Sequence, residues 1–206
     1  MSTHDLLLTY KQFMHLKIYL EDGNTELKDK YVVAAAEHNK QIMNNLTFFN
    51  AGFDLFLPSQ DQSGNELENT IKFYGPNREY NSPLNEIDFK IKCSAQIYLD
   101  SKHNYNTGYY MHPTSSLSKT QLRLANATGI IHSEYRENII GIFDVVNINT
   151  KEENYLDYDY LAEEYDTLVQ ICSPSLMPIY VEIVNDLSQL AIQTARTGGR
   201  FGSIKI

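Results

Sequence analysis

At 206 residues the chain is one domain by length, able to bury roughly 70% of the surface its unfolded form exposes. Its 42% apolar and 21% charged content is ordinary for a globular protein, and a net charge of −9 argues against a nucleic-acid backbone as partner. No apolar run approaches the ~20 residues that cross a bilayer, and no basic-then-apolar leader opens the sequence, so the expected setting is intracellular, without membrane contact. Cys93 and Cys172 each sit inside an apolar run and read as buried free thiols of a reducing compartment.

In chain order, Leu6-Leu7-Leu8 is a short apolar run before the first strand, His15 to Leu20. There Leu16, Ile18 and Leu20 alternate with His15, Lys17 and Tyr19, the period of a half-buried strand. Asp22-Gly23-Asn24 turns the chain, and Thr25 is positioned to cap a helix over 26–45. Leu27, Tyr31, Ala34, Ala35, His38, Ile42 and Leu46 form its apolar stripe, with His38 read as a packed histidine. Ala51-Gly-Phe-Asp54-Leu55 follows. Residues 59–85 are polar, with one strand-like island at Ile71 to Tyr74. Ile87 to Cys93 alternates cleanly, Ala95 to Leu99 continues it, and His103 to Gly108 reads as a turn.

Pro113-Thr-Ser-Ser116 is a turn signal with three adjacent hydroxyls, suited to cradle an anion where backbone amides converge. Ile130-Ile131 and Ile139 to Phe143 are β-branched and aromatic runs around the polar HSEYREN, which predicts a hairpin. Between 147 and 166 seven carboxylates face one Lys151, which reads as a solvated loop or edge strand, or as a surface that docks a basic partner. Leu168 to Cys172 and Ile179 to Val184 are two more strands, and from Asn185 the chain becomes a glycine-rich tail. Short alternating strands between turns predict a β-sandwich or barrel.

Five of these stretches, in order, resemble the motifs of the trimeric dUTPase family. AGFDL resembles its AG-x-DL. PTSS resembles PRSG or PRSS, and NATGIIHSEYRE resembles N-x-x-G-[VI]-I-D-x-x-Y-R-G. LVQI resembles the fourth motif, and Arg196 to Ser203 the glycine-rich fifth. The wording is most similar to dUTPases of large DNA viruses.

The resemblance implies a mainly all-β, distorted jelly roll with one N-terminal amphipathic helix, assembled as a homotrimer. Residues 1–206 form the single domain, 59–85 an insertion and 187–206 a C-terminal arm. It places three sites between subunits, with Asn126 and Gly129 bordering a uracil slot, Tyr135 under the deoxyribose and Phe201 closing over the base. Ser115, Ser116, Gln170, Arg196 and Ser203 would contact phosphates, and Mg2+ would ride on the triphosphate. Thr114 stands where the family has a guanidinium, and His132 where it has the aspartate that activates water, while Asp54 is retained as a supporting group. A neutral imidazole can act as a base near pH 7, but it offers one acceptor in place of two and is driven toward protonation beside a triphosphate.

The expected function is therefore a dUTPase-fold protein with lost or strongly impaired hydrolysis. It would serve as a structural or assembly component of a virus, with itself and other virion or capsid proteins as partners. The alternatives are an altered but active dUTP diphosphatase, and a module that binds dUTP or dUMP without turnover.

Overall fold

In a computed structural model, residues 3–21, 23–44, 48–59, 70–75, 85–146 and 159–190 are described. The chain opens with helix α1 (Thr3–Tyr10), strand β1 (Phe13–Leu20) and helix α2 (Thr25–Asn44). Strands β2 (Gly52–Phe56), β3 (Thr70–Phe73), β4 (Asn85–Tyr98), β5 (Asn104–Asn106) and β6 (Tyr109–Pro113) follow. After a 3-10 turn come β7 (Leu122–Leu124), β8 (Gly129–Ile131), β9 (Asn138–Val145), β10 (Tyr160–Glu163), β11 (Thr167–Cys172) and β12 (Ile179–Val184).

The strands build two main sheets. The first runs β12-β1-β4-β9-β7, with β5 on β4, and the second runs β2-β11-β6-β8; β3 and β10 form a separate ribbon. Alternation decides which side chains meet between them. Leu16, Ile18, Phe89, Ile91 and Phe143 from the first sheet join Leu55, Met111, Val169 and Ile171 from the second in one buried cluster. At ~25 cal/mol per Å2, burial of such side chains is the main driving term. The mainly-β class expected from the strand periodicity is what the chain adopts.

Helix α2 buries Leu27, Tyr31, Ala35, His38 and Ile42, the stripe its spacing predicts. Its N-cap is Asn24, not Thr25: Asn24 Oδ1 accepts from Leu27 N at 3.1 Å, and its carbonyl accepts from Lys28 N. The helix lies along β12 and closes its open edge. Asn39 Nδ2 donates to Val181 O at 2.8 Å while Asn39 Oδ1 accepts from Val181 N at 3.0 Å. His38 Nε2 lies 2.9 Å from Ile179 O, an acceptor only, so this nitrogen carries the proton.

A second, smaller cluster joins Leu6 of α1 to Phe13 and Ile42, with Tyr98 and Tyr180 packed on it. The chain thus has a helix before β1 where the sequence shows only an apolar run. Burial holds His15 below the ordinary imidazole range here, against the opposing pull of Glu182 2.9 Å away.

Two further expectations are corrected. The turn expected over His103 to Gly108 is confined to its start, because Asn104–Asn106 pairs with β4. The strand expected over Ile87 to Leu99 is formed, through Tyr98; at Lys90 a φ of 59° and a bond from its N to Asp88 Oδ1 accompany a register shift between Asp88 and Lys92. The hairpin is not formed. β8 pairs with β6 in the second sheet, whereas β9 pairs with β4 and β7 in the first. The polar link between them is a compact loop wound on Arg136, whose Nη1 donates to Ser133 O at 2.9 Å and Tyr135 O at 2.6 Å. That loop carries the chain between sheets.

Of the 59–85 insertion, the island is β3, paired with β10 from the acidic segment. Leu46 lies outside the described residues, as do most of the insertion, the acidic stretch 147–158 and the tail 191–206.

Candidate functional site

A groove of about 590 Å3 runs between α2 and the edge of the second sheet. One wall is β2 and β11 with the turn after β6, carrying Asp54, Gln170, Thr114, Ser115, Ser116 and Thr167. The other is α2, through Ala34, Glu37, His38 and Gln41. Four of the predicted site residues (Asp54, Ser115, Ser116 and Gln170) are therefore brought together.

Register explains the sheet wall. Asp54 is paired with Gln170, and Gln170 with His112, so the three side chains stand in a row across β2, β11 and β6. Gln170 lies over Gly52: a Cβ there would come within 1.9 Å of Gln170 Oε1, so a larger residue would have to displace that amide. Gln170 Nε2 donates to Pro113 O at 3.3 Å, which pins the amide to the turn.

The hydroxyls are turned inward. Thr114 Oγ1 lies 2.9 Å and Ser116 Oγ 3.1 Å from Thr167 O, and they are 2.7 Å from each other. Two hydroxyl protons serve those three contacts, so neither hydroxyl keeps a donor for a ligand. The Ser115 hydroxyl is exposed, and the amides of Ser115 and Ser116 meet no protein acceptor among the described residues. Asp54 keeps solvent access, yet its cleft desolvates the carboxylate and raises its pKa above the usual value. Cys172 also lines the groove, and burial, reinforced by Asp54, raises its thiol pKa.

The residues expected to border a nucleoside lie elsewhere. Asn126 lies in the turn before β8 and Gly129 begins that strand, beside β6: Gly129 pairs with Met111, and Thr128 Oγ1 is 3.3 Å from His112 Nδ1. His132 and Tyr135 follow the far end of β8. The Tyr135 hydroxyl donates to Asn138 O at 2.8 Å, its ring packs on the main core, and burial raises its pKa. Asn138 Nδ2 in turn donates to Asp88 Oδ2 at 3.0 Å. His132 is exposed and outside the groove, its carbonyl accepting from Tyr135 N. Arg196, Phe201 and Ser203 lie outside the described residues.

The sequence reading missed the helical wall. Ala34, Glu37, His38 and Gln41 recur at i, i+3, i+4 and i+7, one face of α2, and that spacing was the available signal. His112 was missed as the link between the two groups.

Among the described residues no Lys or Arg lines the groove, and no three His, Cys, Asp or Glu side chains are grouped to hold a metal.

No family model and no curated protein matches the chain. Sixty solved chains do. The native dUTPase of EIAV shares 14% identity with a TM-score of 0.34, over 76% of this chain and 88% of that one. A mutant dUTPase from phage phi11 of S. aureus, described with a structural Mg(II) ion, shares 16% at a TM-score of 0.37, over 72% and 89%. A mutant dUTPase of Staphylococcus bacteriophage 80alpha with dUpNHpp shares 15% at 0.37, over 75% and 85%. All three of these are dUTPases, the family that the chain's motifs resemble.

Proposed function

We propose that this chain is a dUTPase-like protein in which dUTP hydrolysis is lost or strongly impaired, and that it serves as a structural or assembly component of a large DNA virus, as a homotrimer. One observation carries the reading. The groove that gathers Asp54, Ser115, Ser116 and Gln170 presents two carboxylates, Glu37 and Asp54, and no cation among the described residues. A triphosphate entering it would meet like charge on both walls.

Two further features agree. Thr114, in place of a guanidinium, is buried with its hydroxyl committed to Thr167 O, so it offers phosphate nothing. His132 is exposed on the loop after β8 and holds no carboxylate oxygens for an attacking water. Loss of a positioned base costs on the order of 10² to 10⁴ in rate.

The fixed Tyr135 favours a second reading, a module that binds a deoxynucleotide without turnover: a ring held by its hydroxyl bond to Asn138 remains a platform for a deoxyribose. The third, an active diphosphatase, would need His132 as base and Arg196 of the arm as the missing charge.

The test is a turnover assay on full-length protein with dUTP, dCTP and Mg2+, followed by calorimetric titration with a non-hydrolysable dUTP analogue. No turnover and no binding is the expected result. Binding without turnover selects the second reading, and turnover at several per second overturns the proposal.

A further inference from the structure

The polarity of the groove is inverted relative to an anion site. Neither the Glu37 nor the Asp54 carboxylate has a hydrogen-bond or ion-pair partner among the described residues, although both line the same cleft. His38 is 6% exposed and also lines it. Its Nε2 proton is committed to Ile179 O, which leaves Nδ1 of the neutral ring as a lone-pair acceptor without a protein partner. Desolvation lowers the His38 pKa and so keeps that ring neutral. The Thr114 and Ser116 hydroxyls, their protons spent on Thr167 O and each other, likewise present lone pairs. Against these acceptors stand the Ser115 hydroxyl and two turn amides. Two carboxylates and an imidazole lone pair, none with a protein partner among the described residues and all lining one cleft, fit a planar group with several N–H donors and a positive charge.

We propose that this groove is a receptor for a guanidinium group, the arginine side chain of a basic segment on a partner protein, held by Glu37 from α2 and Asp54 from β2. The proposal rests on the reading that the groove no longer serves a triphosphate, and gives an assembly component its contact. Charge complementarity selects the occupant: the arginine neutralises two carboxylates at once, and its planar fork donates to acceptors on both walls. A peptide chain would lie along the groove with the side chain inserted between helix and sheet.

The test uses full-length protein labelled for 1H–15N spectra and three probes: acetyl-Ala-Arg-Ala-amide, its citrulline twin (a neutral isostere of arginine) and inorganic pyrophosphate. The arginine peptide should shift signals of α2 near Glu37 and of β2 near Asp54, and should weaken with salt. Citrulline should bind at least about fivefold more weakly, the effect of about 1 kcal/mol from an accessible ion pair. Glu37→Gln and Asp54→Asn, each at an accessible position and checked for folding by circular dichroism, should each weaken the arginine peptide and leave the citrulline peptide unchanged.

Equal binding of arginine and citrulline, indifference to both substitutions, or preferential binding of pyrophosphate would each overturn the proposal. So would groove signals that move with protein concentration and not with peptide, since a second copy of this chain would then be the occupant. Absence of dUTP turnover combined with no response to arginine would refute the receptor and leave the loss of hydrolysis standing. Brisk turnover would refute the underlying reading instead.

Discussion

Asn39→Ala removes the amide that closes the edge of β12. The side chain makes two hydrogen bonds to one backbone unit, donating to Val181 O at 2.8 Å and accepting from Val181 N at 3.0 Å. Each contributes about 0.5–1.5 kcal/mol net, so together about 1–3 kcal/mol is at stake. Alanine regains about 0.5–0.7 kcal/mol of helix propensity in the interior of α2. The expected net loss is about 0.3–2.5 kcal/mol, or about 1–10 °C in Tm for a chain of this size. The chain has no Trp, so urea unfolding is followed by far-ultraviolet circular dichroism. Lys40→Ala, at the exposed neighbouring position, serves as the propensity control. Asn39→Asp keeps the acceptor for Val181 N but sets a carboxylate against Val181 O; it should be less stable than Asn39→Ala at pH 7 and recover as the carboxyl protonates. If Asn39→Ala unfolds at the same urea concentration as Lys40→Ala, the edge is not held by this residue and the reasoning fails.

Asp54→Asn should make the protein more stable at neutral pH. The folded-state pKa of Asp54 is raised, so the wild type loses stability as pH rises through the window from the ordinary carboxylate value up to the folded one. The difference between variant and wild type should vanish below that window, as urea titrations across pH would show. Gly52→Ala should force Gln170 off its seat and break its bond to Pro113 O, at a cost of about 0.5–1.5 kcal/mol in the same unfolding assay, with shifted signals along β11. Thr114→Arg alone should destabilise by about 1–2 kcal/mol, since it removes the buried hydroxyl bonded to Thr167 O. Combined with His132→Asp, it should recover dUTP turnover beyond the sum of the two single changes, because a badly held triphosphate also misplaces the attacked phosphorus; additivity in turnover assays would refute the coupling.

Strands with one buried face were legible from the sequence, because period-two alternation is a local property. The pattern of β4 and β9 is visible residue by residue, as is that of β1 from Leu16 on, and the α2 stripe likewise; His15, which alternation sets outside, is buried under the smaller cluster. Pairing was not legible. Ile130-Ile131 and Ile139 to Phe143 are neighbours in the chain and belong to different sheets, a choice made by β6 and β4, which lie far away in sequence. Asn24 and Thr25 are both competent caps, and only backbone geometry selects the first. The gathering of Asp54, Ser115, Ser116 and Gln170 was anticipated through motif wording, which carries tertiary information that spacing does not. Glu37 and Gln41 escaped because the hydrophobic stripe draws the eye to what a helix buries. Nothing local says that its flank will face β2.

The position of β1 governs how the chain must reach this state. It lies between β4 and β12, and its parallel partner sets Met14 against Ile179, so two of the most distant stretches of the chain are adjacent in one sheet. The α2 contact to Ile179 spans 141 residues. Long-range pairing of this kind slows folding, since loop-closure entropy is lost before any bond forms. During synthesis β1, α2 and β4 emerge long before β12, and in that interval one edge of β1 and the His38–Asn39 face of α2 have no strand to hold. A β12 from another nascent copy fits that vacancy as well as its own does. Refolding yield should therefore fall with protein concentration, and exchanged-strand dimers should accompany the loss.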